Sequence, residues 1–318
     1  MHKTVDVVTN NRLEEKKMDY FIKKKGVSFI NEDKISEKYF QTVIPFINQQ
    51  DMKQNKFCGE VANFKTNGKN ITIFQDDAIA FLKKLPSNSV DIIVTDPAYS
   101  GMNNKLKLGK GRIVGKYSDK GKANSKWFKE FEDNEENYNN FLSECRRVLK
   151  RSTGHIYIMF DSYSLLSLGN MVRDYFEVKN IITWDKVNIG MGHYFRRRHE
   201  YIIFATNGNT RKIRNRKFPD VWRFKRVHNS SYPTQKPVEV FQAMIYASSE
   251  EGFTVCDPFL GSGSSAIAAI KNNCHFVGCD ISDRSIEVST NRIKTYIEES
   301  KDILQPKSLA VEEKIFWE

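Results

Sequence analysis

From Asn70 onward the chain alternates short apolar runs with longer stretches in which apolar residues recur every three or four positions, and this alternation constrains the fold more than any other feature. "NITIF", "VDIIV", "GHIYIMF", "FTVCDPF" and "HFVGCDI" are nearly continuous apolar runs, the pattern of strands covered on both faces. Around them, "DDAIAFLKKL", "ENYNNFLSECRRVLK", "SYSLLSLGNMVRDYF", "KPVEVFQAMIYAS", "SSAIAAIKN" and "DRSIEVSTNRIKTYIEES" have helical spacing. Strands alternating with helices predict an α/β fold with a doubly wound, mostly parallel sheet. "VKNIITW" and "HEYIIFAT", joined by a short polar segment, break the alternation and predict an antiparallel pair. Residues 1–68 are polar, Lys-rich and weakly periodic, with short helical stretches around 36–48; they read as an N-terminal extension of unassigned role.

Two strand ends carry chemistry. In "VCDPFLGSGSSAIAAI", Gly261 and Gly263 stand between a strand and a helix, where glycines let a ligand approach the backbone and the helix N-terminus favours a negative group. The next strand ends in Asp280, placed to accept ribose hydroxyls. Ser265 and Ala266 occupy the region of the third glycine of a dinucleotide loop, and no GK[ST] follows, so a single adenosyl cofactor fits better than a dinucleotide or a triphosphate. The second end is "TDPAYS" after "VDIIV": Asp96, Pro97 and Tyr99 would bring a carboxylate, a stiff backbone and an aromatic face to one planar ligand. Asp-Pro also opens ordinary turns, because Pro fixes φ and Asp caps nearby amides.

Charge is localised. The formal net charge is +11, yet 100–126 sets eight basic residues against Asp119, 205–231 sets eight against Asp220, and the remainder is slightly acidic. Two basic stretches on an acidic body suit a phosphate backbone; the plain alternative is two solvated loops. No apolar run reaches the roughly 20 residues of a membrane span and the N-terminus lacks a signal peptide's apolar segment, so a cytoplasmic protein is expected. The five cysteines form no CxxC pair, and His193 and His199 have no partners at metal-ligand spacing, so no metal is expected. "GHYFRRRHEY", with Arg196 and Arg197, is then structural or phosphate-facing.

The order of these pieces, "TDPAY" first, "YPTQKP" far downstream and "DPFLGSGS" after it, resembles the permuted beta group of DNA amino-methyltransferases over about Ile71–Glu299. Ala98 departs from the family's pattern, which has a second Pro there. The resemblance implies a Rossmann-like methyltransferase sheet with permuted motif order. Its domains would be a catalytic half at 69–204 containing the basic loop 100–126, a small target-recognition insert at 205–231, a cofactor half at 232–299 and a tail at 300–318. It implies S-adenosylmethionine as cofactor and duplex DNA as partner, and it allows a cognate restriction endonuclease and a homodimer, with no membrane. Asp96, Pro97 and Tyr99 would be catalytic: the ring stacks on a flipped base while the carboxylate and the Pro97 carbonyl accept the amine's hydrogens. Cofactor contacts would come from Asp77, Ala78, Thr234, Lys236, Asp257, Phe259, Gly261, Gly263 and Asp280, with Lys236 on the methionine carboxylate. Asp77 reads equally as a helix N-cap, and Thr234 and Lys236 as the opening of a helix. DNA contacts would come from Lys105, Lys107, Lys110, Arg112, Arg196, Arg197, Arg214, Arg216 and Arg223, while Phe218, Trp222 and Phe224 read alternatively as the insert's small core. Family members acting on cytosine usually carry Ser at the position of Asp96, so N6 of adenine is the expected target. N4-cytosine methylation, a catalytically silent DNA-binding subunit and an RNA methyltransferase are the alternatives.

Overall fold

A computed structural model describes residues 27–30, 61–97, 134–190, 195–208, 211–228, 231–232 and 234–311. The elements run β1 (Val27–Ile30), β2 (Val61–Thr66), β3 (Lys69–Gln75), α1 (Ala78–Lys84), β4 (Ile92–Thr95), α2 (Glu135–Val148), β5 (His155–Phe160), α3 (Ser162–Leu168), a 3-10 turn (Gly169–Met171) and α4 (Val172–Tyr175). They continue β6 (Glu177–Asp185), β7 (His199–Thr206), β8 (Val221–Arg223), α5 (Val238–Ser248), β9 (Thr254–Asp257), α6 (Ser264–Lys271), β10 (His275–Asp280) and α7 (Asp283–Glu299). The strands form one sheet in the order β1-β2-β3-β10-β9-β4-β5-β7-β6-β8.

The middle strands β3, β10, β9, β4 and β5 are parallel to one another, and β7 enters antiparallel to both β5 and β6, as the two adjacent apolar runs predict. Each parallel strand is buried on both sides because successive side chains point to opposite faces. Ile92 and Val94 pack with α5, α6 and α7 on one face, and Ile93 packs with α1 and α2 on the other. Helices α1, α2, α3 and α7 begin where a short polar side chain replaces missing backbone acceptors: Asn134 accepts from Asn137 N at 2.8 Å to start α2, and Asp161 accepts from Tyr163 N at 2.7 Å to start α3. The buried residues of α2, namely Tyr138, Phe141, Leu142, Cys145 and Val148, keep the spacing that marks it in the sequence.

Three expectations change. "SYSLLSLGNMVRDYF" is not one helix but α3, a 3-10 turn and α4, with the break at Gly169, where a Cβ would meet Leu165 Cδ1 at 2.9 Å and Ile203 Cδ1 at 3.5 Å. The boundary at residue 69 does not separate the extension from the sheet: β2 pairs with β3 and β1 with β2, both antiparallel, and Ala62 and Phe64 are buried in the core. The stretch 205–231 is not a unit of its own. Trp222 and Phe224 are buried in the main core beside Trp184, whose indole donates to Phe224 O at 2.8 Å, and β8 is a sheet strand parallel to β6. Residues 300–311 fold back over it, with Phe224 bridging Ala310 and Lys225 N donating to Leu309 O at 2.8 Å. The helical stretch expected at 36–48 lies outside the described residues.

Candidate active site

Strand order reverses between β9 and β4, and the crevice beyond their carboxyl ends is where an open α/β sheet takes a ligand. Asp257 ends β9, Asp280 ends β10 and Asp96 follows β4, so three carboxylates share this edge.

On the β9–β10 side the carboxylates organise backbone. Asp257, 1% exposed, accepts from Ser265 Oγ at 2.5 Å and Phe259 N at 2.9 Å, which fixes the turn of 258–263; burial pushes its carboxyl up to about 7, against those two hydrogen bonds. Gly261 and Gly263 have φ of +52° and +82°, conformations that glycine adopts without strain. A Cβ on Gly263 would lie 3.1 Å from Ser289 Cβ, so that glycine also lets α6 pack on α7. Asp280 accepts Gly261 N on Oδ2 and Ser282 N on Oδ1, both at 2.9 Å, and burial raises its carboxyl against those bonds. Ser285 and the Ile281 N–H donate to it as well, so the about four lone-pair sites of this carboxylate are all engaged within the chain.

This loop is clamped from behind by Arg292, which no motif marks, and by Tyr232, the first residue of "YPTQKP". Arg292, fully buried on α7, donates to Ser262 O at 3.0 Å and Ser264 Oγ at 2.9 Å, and is neutralised by Asp302 at 2.7 Å. Tyr232, buried, meets Ser285 Oγ at 2.9 Å, and its hydroxyl lies 3.4 Å from where a Gly261 Cβ would be. Burial, helped by the Asp280 charge, pushes that phenol up to about 12.

On the β4 side the chemistry is ionic. Lys236 donates to Asp96 Oδ2 and lies 3.6 Å from Glu200 Oε2, whose other oxygen accepts Lys186 at 3.0 Å. Asp96 is held above its ordinary value by burial, opposed by Lys236 and reinforced by Glu200 and Asp161. Burial alone would lower Lys236, but Asp96 and Glu200 hold it well above the ordinary lysine range. The Lys236 ammonium is therefore balanced inside the chain by Asp96 and Glu200. Glu200 and Lys186 are single polar residues beside apolar strands and carry no sequence signal of their own.

Residues 90–291 match the DNA methylase family of N6/N4 methyltransferases. The chain belongs to that family. The methylase is 29% identical over 253 residues to the type II methyltransferase M2.MboI of Moraxella bovis, covering 72% of this chain and 89% of the relative. It is 28% identical over 270 residues to M2.DpnII of Streptococcus pneumoniae, covering 76% and 98%. Its fold is similar to that of TTHA0409 of Thermus thermophilus, solved with S-adenosyl-L-methionine, at a TM-score of 0.51 and 17% identity over 71% of this chain and 96% of that one.

The remaining expected residues of the methylase divide. Thr234, at the crevice, is exposed with φ +58°, a strained conformation for a β-branched residue. Phe259 is half-buried with its ring edge on Phe141, 5.5 Å away. Asp77 is the N-cap of α1, accepting from Ile79 N at 3.0 Å and Ala80 N at 3.2 Å; Ala78 is buried behind it, and Asp76 N donates to Asp280 O at 3.1 Å, so the turn adjoins the crevice. Arg214 is corrected: it donates to Tyr246 O and Ser249 O and lies 4.5 Å over the Tyr246 ring, at the far end of α5 and the opposite edge from Asp96. Arg216 is exposed in the same segment. Arg223, Arg196 and Arg197 do lie at the carboxyl edge. Arg223 is 3.6 Å from Asp185, which also takes both nitrogens of Arg198; Arg196 donates to Gly190 O at 2.7 Å, and Arg197 lies 4.9 Å over Tyr163. Tyr99, Lys105, Lys107, Lys110 and Arg112 lie outside the described residues. Among the described residues no cluster of His, Cys, Asp or Glu could hold a metal ion, and no helix is long and apolar enough to cross a membrane.

Proposed function

We propose that this methylase transfers the methyl group of S-adenosylmethionine to N6 of an adenine flipped out of duplex DNA. One observation carries the reading: a half-buried carboxylate, Asp96, with Oδ1 free of hydrogen bonds among the described residues, faces a backbone cradle ended by Asp280 across the point where strand order reverses. The cradle suits an adenosyl group because Asp280 ends β10 with a carboxylate, the group that takes ribose hydroxyls at a strand end, and Gly261 and Gly263 keep backbone accessible before α6. When bound, the cofactor supplies an electrophilic methyl on a sulfonium. The chain's residues do the rest. Asp96 Oδ1 and the Pro97 carbonyl accept the two N–H bonds of the amine, orient its lone pair, and strengthen as positive charge develops on nitrogen in a dry site. Tyr99 supplies the stacking face for the flipped base.

The names of the relatives, type II methyltransferases, support a modification enzyme; a cognate restriction endonuclease and a cytoplasmic location are part of the proposal. Arg196, Arg197 and Arg223 at the active edge, with Lys105, Lys107, Lys110 and Arg112, are proposed to take the phosphates. The test is incubation with methyl-labelled cofactor and duplex DNA, followed by nucleoside analysis. Label in N6-methyladenine is expected. Label in N4-methylcytosine moves the target to cytosine, label preferring structured RNA moves the substrate, and DNA binding without transfer makes the chain a silent subunit.

A further inference from the structure

We infer that Glu200 is a positioning residue for methyl transfer: it is the second anchor of Lys236 and cancels the charge that Lys236 would otherwise set against the reacting amine. The inference rests on the proposed transfer at Asp96. Its basis is a chain of four ions of alternating sign, Asp96, Lys236, Glu200 and Lys186, contributed by the end of β4, the approach to α5, the second residue of β7 and the residue after β6. All four side chains are between 16% and 26% exposed, so they interact through a poorly screening medium.

Two consequences follow from this geometry. First, an ammonium offered Asp96 alone would be drawn onto both carboxylate oxygens. With Glu200 Oε2 at 3.6 Å on its other side, Lys236 takes Oδ2 and leaves Oδ1 for the substrate amine. Second, the reaction breaks a carbon–sulfur bond, forms a carbon–nitrogen bond and leaves the nitrogen positively charged until one of its protons departs. A cation beside that nitrogen opposes this change. Asp96 and Lys236 cancel each other, as do Glu200 and Lys186, so the cluster is neutral as built. Without the Glu200 charge it holds one excess positive charge next to the developing one. Burial would push the Glu200 carboxyl up, but Lys236 and Lys186 hold it below its ordinary value, so it stays ionised at neutral pH.

The test compares Glu200→Gln, Glu200→Asp and the double variant Glu200→Gln/Lys186→Met. Single-turnover transfer by Glu200→Gln is expected to fall roughly 10- to 100-fold, with DNA and cofactor dissociation constants within about twofold of wild type. Glu200→Asp retains the charge and should keep most of the rate. The double variant removes one charge of each sign and restores neutrality, so it should recover the part of the loss due to excess charge and stay below wild type by the part due to the missing anchor; a purely structural Glu200 would make it worse than either single change. It also guards against misfolding, since it leaves no unpaired Lys186. A rate unchanged in Glu200→Gln, or a double variant as slow as the single, overturns the charge-balancing role. The anchor is read without catalysis, by competitive labelling of lysines: Lys236 should become several-fold more reactive in Glu200→Gln, and unchanged reactivity overturns it. If wild type labels no nucleoside, the transfer reading falls while the labelling result still decides whether Glu200 holds Lys236.

Discussion

Helix α5 joins two polar clusters of opposite kind. Just before its first turn, Lys236 lies among four ions at the carboxyl edge of the sheet; at its last residue, Ser248 Oγ accepts or donates at 2.7 Å to both His155 Nδ1 and Tyr157 OH at the amino edge. Arg211 closes the second cluster by donating to Thr153 O and Ser248 O, while its own carbonyl meets His155 Nε2 at 3.1 Å. In this amino-edge cluster Ser248, His155 and Tyr157 bond one another, Arg211 Nη2 is buried without a partner among the described residues, and no carboxylate accepts a hydrogen bond. At the carboxyl edge, Asp96 uses Oδ2 for Lys236 and its Oδ1 takes no hydrogen bond among the described residues. The difference lies in charge: ion pairs gather at the end of α5 that faces the reversal of strand order, where an open α/β sheet takes its ligand, and hydrogen bonds between neutral side chains gather at the other.

The sharpest way to break this comparison is to remove Asp96. Asp96→Ala should lower methyl transfer by about 10²–10³-fold or more, the scale of losing a group that stabilises charge in the transition state. Cofactor affinity and thermal midpoint should change little, because Lys236 still has Glu200. The control is His155→Ala, which should lower the thermal midpoint and leave the rate per folded molecule intact. Transfer assays and calorimetric cofactor titration on both variants settle the matter, and an active Asp96→Ala enzyme removes Asp96 from the mechanism.

The two clusters also predict opposite responses to pH. Burial first, then the Arg211 charge, lowers His155 to about 4. It is neutral when folded, whereas the unfolded imidazole gains a proton below its ordinary value near 6.5. Stability is therefore present above that value and lost as pH falls through the window down to about 4, by roughly 3 kcal/mol at most. Asp257 has the other sign. Its carboxyl, raised to about 7, keeps its proton when folded while the unfolded group has lost it, so stability falls as pH rises from about 4 to 7. Thermal midpoints across pH 4–7 should show a shallower acid loss in His155→Asn than in wild type, and a shallower loss towards neutral pH in Asp257→Asn. Curves that run parallel to wild type would show that neither group is titrating as its burial implies.

How much of this could be read in the sequence follows the same division. Features built from local spacing were legible: the alternation that makes a parallel sheet, the glycines between β9 and α6, the acid ending β10, and Asp-Pro after β4. Features that depend on where a distant segment lands were not. Glu200, paired with Lys186, meets Lys236 only because β7 inserts beside β5, and Arg292 meets Asp302 only because the residues after α7 turn back. Arg214 misleads for the same reason, since its basic neighbourhood points to DNA while its guanidinium is used on the carbonyls ending α5. Trp222 and Phe224 read as an insert's own core, and the strand pairing of β8 puts them in the main one.

A smaller effect probes the cradle. Asp280→Ala removes the acceptor for Gly261 N and Ser282 N and the proposed partner of the ribose. Two hydrogen bonds of about 1–1.5 kcal/mol each correspond to a roughly 30- to 150-fold weaker cofactor. The rate at saturating cofactor should drop far less than in Asp96→Ala, because no contact with the amine is lost. A dissociation constant equal to wild type would place the cofactor elsewhere.

The smallest effect separates arginines at the two edges. Arg196 lies exposed on the turn between β6 and β7, at the edge that holds Asp96, and if it meets a phosphate its loss should reduce the slope of log affinity against log salt by about 0.9. That change should be alike for all duplexes, since phosphate contacts carry no sequence information. Arg214 sits at the other end of α5, an 11-residue helix about 16 Å long, with its guanidinium bonded to Tyr246 O and Ser249 O. Arg214→Ala should leave the salt slope unchanged and instead lower the thermal midpoint, because it frees two carbonyls and a stacked ring at the helix end. The measurement is DNA binding by both variants at several salt concentrations, beside their melting curves. A flattened slope in Arg214→Ala with none in Arg196→Ala would put the DNA on the amino edge, and the division between the two ends of α5 would have to be reversed.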